Sequence, residues 1–278
     1  MNRRRFLLSL PPSVLAAAAL AGAPAARFPR TSPVPGGVAR VELGAAPHPP
    51  RVRMGGTRVL VVRDGGAWIA LVGIALATKP GSRLRVEAER VDGTVALYEV
   101  AVAPKDYASQ HLKVPPGQVE LSPEDLARYE RERAHLAGVL RTFTEDAPPT
   151  LAMVQPAPGV RSSSFGRRRY FNGKARNPHG GMDIAAPVGT PVVAASAGRV
   201  IDIGDYFFSG RTIVLDHGAG LLSLYAHLSG VDTRIAQNVT ADTPIARVGA
   251  TGRVTGPHLH FSVYLNTAAV DPALFLPA

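Results

Sequence analysis

His179 and Asp183 stand four residues apart in the string H-G-G-M-D. An extended chain alternates its side chains, so positions 179, 181 and 183 share one face and both polar groups can point at one spot. Neutral imidazole and carboxylate both suit a catalytic zinc, which takes three protein ligands and keeps one position open to water. Near the C-terminus, G-P-H-L-H-F sets His258 and His260 two residues apart, again on one face of a strand. His227, in Y-A-H-L-S, ends a further run of strand character. If the strands carrying these groups are neighbours, the imidazoles converge where His179 and Asp183 point. An isolated H-x-H or H-x-x-x-D pair is a weak signal. Here four of the chain's eight histidines fall into three such signatures, which chance does not readily supply.

The elements around these residues read as strands. After H-G-G-M-D comes I-A-A-P-V-G-T-P-V-V, and residues 192–195, 198–204, 211–216, 220–228, 245–250 and 258–265 are all strand candidates. The N-terminal half is also β-rich. Residues 38–43, 57–63, 67–77, 83–89 and 94–102 form short apolar or alternating runs, and Asp64-Gly65-Gly66 and Asp92-Gly93 mark turns between them. This spacing predicts a small sandwich. One helix is expected over residues 122–143. Ser122 caps it, Pro123 suits its first turn and Asp125 can complete a capping box. Leu126, Tyr129, Leu136, Val139, Leu140 and Phe143 form an apolar face, while its Glu, Arg and His135 side chains read as a solvated surface.

The expected fold is therefore mainly β, with an N-terminal β-sandwich-like domain and a C-terminal antiparallel β-sheet domain, joined by an amphipathic helix and a Pro-rich linker. The boundaries are residues 1–26 for an export signal, 27–49 for a Pro/Gly-rich tether and first strand, and 50–120 for the sandwich-like domain. The helix takes 121–145, the linker 146–156 and the C-terminal domain 157–278. Residues 1–26 combine Arg3, Arg4 and Arg5, an apolar stretch and small residues. R-R-R-F-L also resembles a twin-arginine motif, and Pro11 and Pro12 argue against a stable membrane span. The expected location is the periplasm or cell envelope.

The chain has 278 residues and no cysteine, so a disulfide framework, a thiol nucleophile and a cysteine zinc site are all excluded. The net charge of +10, three positive charges of which lie in the leader, favours polyanionic surroundings. No basic tract interleaved with aromatics points to nucleic acid. His48 and His111 are lone histidines with surface or structural roles expected, and His217, in D-H-G, reads as structural or at the substrate edge.

H-G-G-M-D-I-A-A-P-V-G-T-P-V, Y-A-H-L-S and G-A-T-G-R-V-T-G-P-H-L-H-F together resemble, in order and spacing, the lysostaphin-type (LytM-like) zinc endopeptidases of bacterial peptidoglycan. The likeness extends from S-S-F-G-R-R-R at 163–169 to V-D-P at 270–272, and the N-terminal half is similar to the β-domain preceding such peptidases in proteobacteria. The resemblance implies His179, Asp183 and His260 as ligands of one zinc per peptidase domain, with His227 and His258 as unliganded catalytic histidines. It implies hydrolysis of peptide bonds in peptidoglycan cross-links or stems. The same fold also serves non-catalytic activators of other wall hydrolases, which typically lack some ligands. Ser262 stands where many members carry an acid, a departure expected to touch the surroundings of the site and not its ligands. Met182 reads as a packing residue.

Overall fold

A computed structural model describes residues 27–113 and 121–277. The expected export signal lies outside the described residues. Among those residues, no helix is long and apolar enough to cross a membrane.

The N-terminal half forms two small antiparallel sheets. One contains β1 (Val38–Gly44), β4 (Leu60–Asp64) and β5 (Ala67–Gly73), with β5 in the middle. The other contains β2 (Arg51–Met54), β3 (Thr57–Arg58), β6 (Arg83–Glu89) and β7 (Val95–Ala101). The single run expected over 57–63 is thus divided between the two sheets. Both expected turns form: Gly65 and Gly93 take the positive φ that tight hairpins need, and Asp92 accepts from the Thr94 backbone N–H. Val41, Val52, Val72, Val86 and Val100 meet between the sheets as a sandwich core.

Strand β5 explains why its sequence is apolar almost without interruption. Ala70 and Val72 face the sandwich core, whereas Ile69 and Leu71, on the other face, join the core of the C-terminal half together with Leu60 and Val62. A strand covered on both sides loses the alternation of a half-buried one. The halves therefore share packed apolar surface. The connection at 146–156 is held in the same way: Leu151 and Met153 are buried, and the Met153 N–H donates to the Phe275 carbonyl.

The helix, α1 (Pro123–Val139), begins as expected, with the Ser122 hydroxyl accepting from the Asp125 N–H. Leu136, Val139 and the following Leu140 pack on Val214, Leu224 and Ala226, but Leu126 stays exposed. The helix's polar side is not merely solvated. Glu132 accepts from the Phe207 N–H at 2.7 Å and His135 Nε2 lies 2.8 Å from Asp202. These long-range partners are invisible to periodicity along the helix.

The C-terminal half carries a large antiparallel sheet. Its path runs β17 (Asn238–Val239), β14 (Gly198–Tyr206), β15 (Gly210–Gly218), β16 (Leu221–Val231), β19 (His258–Leu265), β12 (Met182–Ala185) and β9 (Val160–Ser163). Three strands lie off this path: β13 (Pro191–Val193) pairs with β18 (Pro244–Val248), which also pairs with β16, and β20 (Ala268–Val270) pairs with β19. A separate small sheet joins β10 (Arg168–Phe171), β11 (Lys174–Arg176) and β8 (Ser109–Leu112), the last contributed by the N-terminal half and parallel to β10.

Candidate metal centre and cleft

The register of the large sheet brings the signatures together. Asp183 on β12 lies directly opposite His260 on β19, and Ala185 opposite His258. On the other side of β19, Ala226 pairs with His260, so His227 follows one residue beyond. The neighbour relation that convergence needs is thus met by two adjacent strand pairs. His179 precedes β12 and is fixed by its backbone, whose N–H donates to the Arg167 carbonyl and whose carbonyl accepts from Gly166.

Three atoms form a tight triangle. His179 Nε2, His260 Nδ1 and Asp183 Oδ1 are each 3.0 Å from the other two. Both His179 and Asp183 are buried. His179 Nδ1 faces the Ser164 carbonyl at 3.0 Å, and a carbonyl only accepts, so Nδ1 carries the hydrogen. In the neutral ring Nε2 is then a lone pair aimed at an acidic oxygen. His260 Nε2 meets the Ser262 hydroxyl at 2.9 Å, which can likewise hold the ring hydrogen there and leave Nδ1 as a lone pair. Lone pairs of two imidazoles and a carboxylate converging on one point repel unless a cation sits among them. The donor set, two nitrogens and one oxygen, fits a divalent metal, and outer partners of this kind orient metal-bound histidines.

His227 and His258 stand beside the triangle. Their ring centres are 4.8 Å apart, and His227 is 5.8 Å from His260. His227 Nδ1 donates to the Thr251 carbonyl at 3.0 Å and His258 Nδ1 to the Gly256 carbonyl at 2.8 Å, which leaves each Nε2 free of hydrogen in the neutral ring. Burial first, then the neighbouring His260 and His258, push the His227 pKa down to about 3, so it is neutral near neutral pH. Its backbone takes φ of 65°, a left-handed conformation uncommon for a residue with a Cβ and held here by the Ser209 carbonyl, which accepts the His227 N–H.

Gly181 has a geometric reason. A Cβ there would lie 2.4 Å from Ser262 Oγ, 2.6 Å from the Phe261 carbonyl oxygen and 2.7 Å from His260 Nε2. Met182 is buried in the core, as its position suggested. His217 is buried in a separate network, with Nδ1 donating to the Ala197 carbonyl at 2.7 Å and Nε2 2.7 Å from Ser223 Oγ. His111 stacks on Tyr170 across the β8–β10 pair, ring centres 4.5 Å apart.

The triangle and both extra histidines open on a cleft of about 580 Å³. Its lining also includes Gln110, Arg167, Arg169, Phe208, Ser209 and Arg253, none of them singled out from the sequence. The basic run after S-S-F-G was the signal available for two of them. Gln110 arrives only through the long-range pairing of β8 with β10. Helix α1 supports the cleft from behind, since Tyr129 packs edge-on against Phe208 at 5.0 Å.

Residues 177–272 match peptidase family M23, and residues 31–101 match the peptidase family M23 N-terminal domain. The chain is 39% identical over 94 residues to the peptidoglycan DD-endopeptidase ShyB of Vibrio cholerae, covering 34% of this chain and 22% of that protein. It is 40% identical over 111 residues to the DD-carboxypeptidase/endopeptidase Mpg of Neisseria gonorrhoeae, covering 40% of this chain and 26% of that one. It thus spans about a quarter of the length of these relatives. A crystal structure from Pseudomonas aeruginosa described as a peptidase M23 superposes with a TM-score of 0.76 at 43% identity, covering 88% of this chain and 95% of that one.

Proposed function

This chain belongs to peptidase family M23, and on that premise we propose that it is an exported zinc metalloendopeptidase that hydrolyses peptide bonds in peptidoglycan, in cross-links or stem peptides, in the periplasm or cell envelope. The observation that carries the reading is the convergence of His179, Asp183 and His260, all lone pairs and negative charge, beside two further imidazoles in an open cleft.

In this reading His179 Nε2, Asp183 Oδ1 and His260 Nδ1 hold the metal. Bound zinc supplies Lewis-acid polarisation of the scissile carbonyl and a lowered pKa for water. The remaining steps belong to the protein. The free Nε2 of His227 or of His258 accepts the proton as water oxygen bonds to the carbonyl carbon. The imidazole that has taken the proton steadies the negative charge developing on the carbonyl oxygen. As the carbon–nitrogen bond breaks, the same pair returns the proton to the leaving amine. The carbonyls of Thr251 and Gly256 hold both rings in the tautomer this requires.

The test is release of soluble peptide fragments from purified sacculi, with bound metal measured alongside. His260→Ala is expected to lose both metal and activity. His227→Ala is expected to keep the metal and lose about 100-fold or more in rate, the size of a general acid–base contribution. Undiminished hydrolysis by both variants would overturn the reading. Intact sacculi with the unaltered, metal-loaded protein would favour a non-catalytic activator.

A further inference from the structure

Three guanidinium groups, from Arg167, Arg169 and Arg253, line the cleft, and among the described lining residues Asp183 is the one carboxylate. Asp183 is already committed to His179 and His260. Arg169 lies near its second oxygen, 3.8 Å from Oδ2, so this guanidinium serves the charge at the triangle. Burial, and the neighbouring Arg167, work against the charged form of Arg169, while Asp183 supports it.

Arg167 is placed differently. Its backbone carbonyl accepts the His179 N–H, which fixes it beside the triangle. Its Nε is buried with no hydrogen-bond partner among the described residues. An unpaired donor on a charged group is costly, and because Arg167 also lines the cleft, an anionic ligand there that accepts from the rest of its guanidinium offsets part of that cost. Arg253 stands on the loop before β19, anchored where its N–H donates to the Phe208 carbonyl at 2.9 Å, with its guanidinium 5.6 Å from the Phe208 ring centre. A planar fork of N–H donors matches a carboxylate better than any neutral peptide group.

We propose that Arg167, assisted by Arg253, forms a carboxylate-binding subsite beside the metal triangle, so that the cleft selects peptides bearing a free carboxylate over their amidated forms. The inference rests on the peptidase reading for its substrate class, and deepens it by naming the group recognised. Two sources supply that chemistry: the α-carboxylate at a peptide's C-terminus, and a side-chain carboxylate within the stem.

Binding, measured apart from turnover, separates this inference from the reading beneath it. Zinc-loaded full-length protein carrying His258→Ala would be titrated calorimetrically with synthetic cross-linked stem-peptide dimers. These would be prepared as the free acid, amidated at the C-terminus, amidated at the side chain, or both. Amidation at the recognised position is expected to weaken binding about tenfold, the worth of one charge-assisted hydrogen bond. Adding Arg167→Gln should weaken the free acid by the same factor and leave the fully amidated peptide unchanged, and Arg167→Lys should recover only part of the loss. Whichever single amidation reproduces the loss identifies the source. Equal binding of acid and amide by the Arg167-intact protein, or an equal loss for both in Arg167→Gln, would overturn the proposal. Carboxylate-dependent binding without any hydrolysis by the unaltered enzyme would leave the subsite standing and remove the peptidase reading instead.

Discussion

At the residue scale the site depends on groups that neither bind metal nor move protons. Gly181 admits His260 only because it has no side chain, and one of the atoms a Cβ would strike is the Phe261 backbone carbonyl, which cannot swing aside. Gly181→Ala is therefore expected to displace His260 and lower metal affinity by about 10–100-fold, the usual range for disturbed outer partners of a metal ligand. A competitive zinc-indicator titration measures it, and unchanged affinity would show that β12 and β19 separate without cost. The five side chains proposed for the site, His179, Asp183, His227, His258 and His260, were legible as candidates from their types and, for all but His227, their period-two spacing, while their division into ligands and catalytic histidines came from the family resemblance. Gly181 was visible only as a small residue, and Ser262 only as a departure from the pattern of similar chains. Arg167 was one arginine in a basic run. Their roles arise from contacts across strands, which local spacing does not encode.

At the element scale, strand β16 is apolar on both faces because the shared core covers one side and helix α1 the other, Tyr225 and Leu228 facing the former and Leu224 and Ala226 the latter. Its neighbour β15 carries His217, whose burial pushes the imidazole below its ordinary value of 6.5 although the Ala197 carbonyl and Asp216 work the other way. The folded protein thus excludes a proton that the unfolded chain takes up. The stability linked to a neutral His217 is fully present above pH 6.5 and is lost as pH falls below that value toward the depressed folded pKa. Denaturant midpoints for the native chain should fall on acidification through this range, and His217→Gln should flatten part of that fall. An identical slope in the variant would contradict the assignment. The strands, the hairpin turns and the helix start were readable from apolar alternation, Asp-Gly pairs and the Ser122 cap. The partners of Glu132 and His135 were not, because the helix's own pattern cannot reveal which turn it buttresses.

At the scale of the molecule, the two halves are one packed unit as much as two domains in series. Leu60, Val62, Ile69 and Leu71 reach from the N-terminal sheet into the C-terminal core, and β8 builds part of the cleft's side through its pairing with β10. Composition marks both halves as β-rich but carries no sign of this pairing, since a strand's partner depends on the folded path. Removing residues 1–149 should uncover that apolar surface, so the remaining fragment is expected to unfold at lower temperature and to digest sacculi more slowly. A faster fragment would point instead to an N-terminal half that shields the metal. Leu71→Ala in the full chain should reproduce the loss in milder form, about 2–5 kcal/mol by denaturant unfolding.

The central claim, that His179, Asp183 and His260 hold the ion on which peptide hydrolysis depends, is tested most directly by restoring metal to chelator-treated protein while following sacculus digestion. The account predicts that activity vanishes on chelation and returns in proportion to zinc added, saturating at one ion per chain, and that His260→Ala never recovers. Digestion that persists without metal, or that zinc restores equally in the variant, would contradict it.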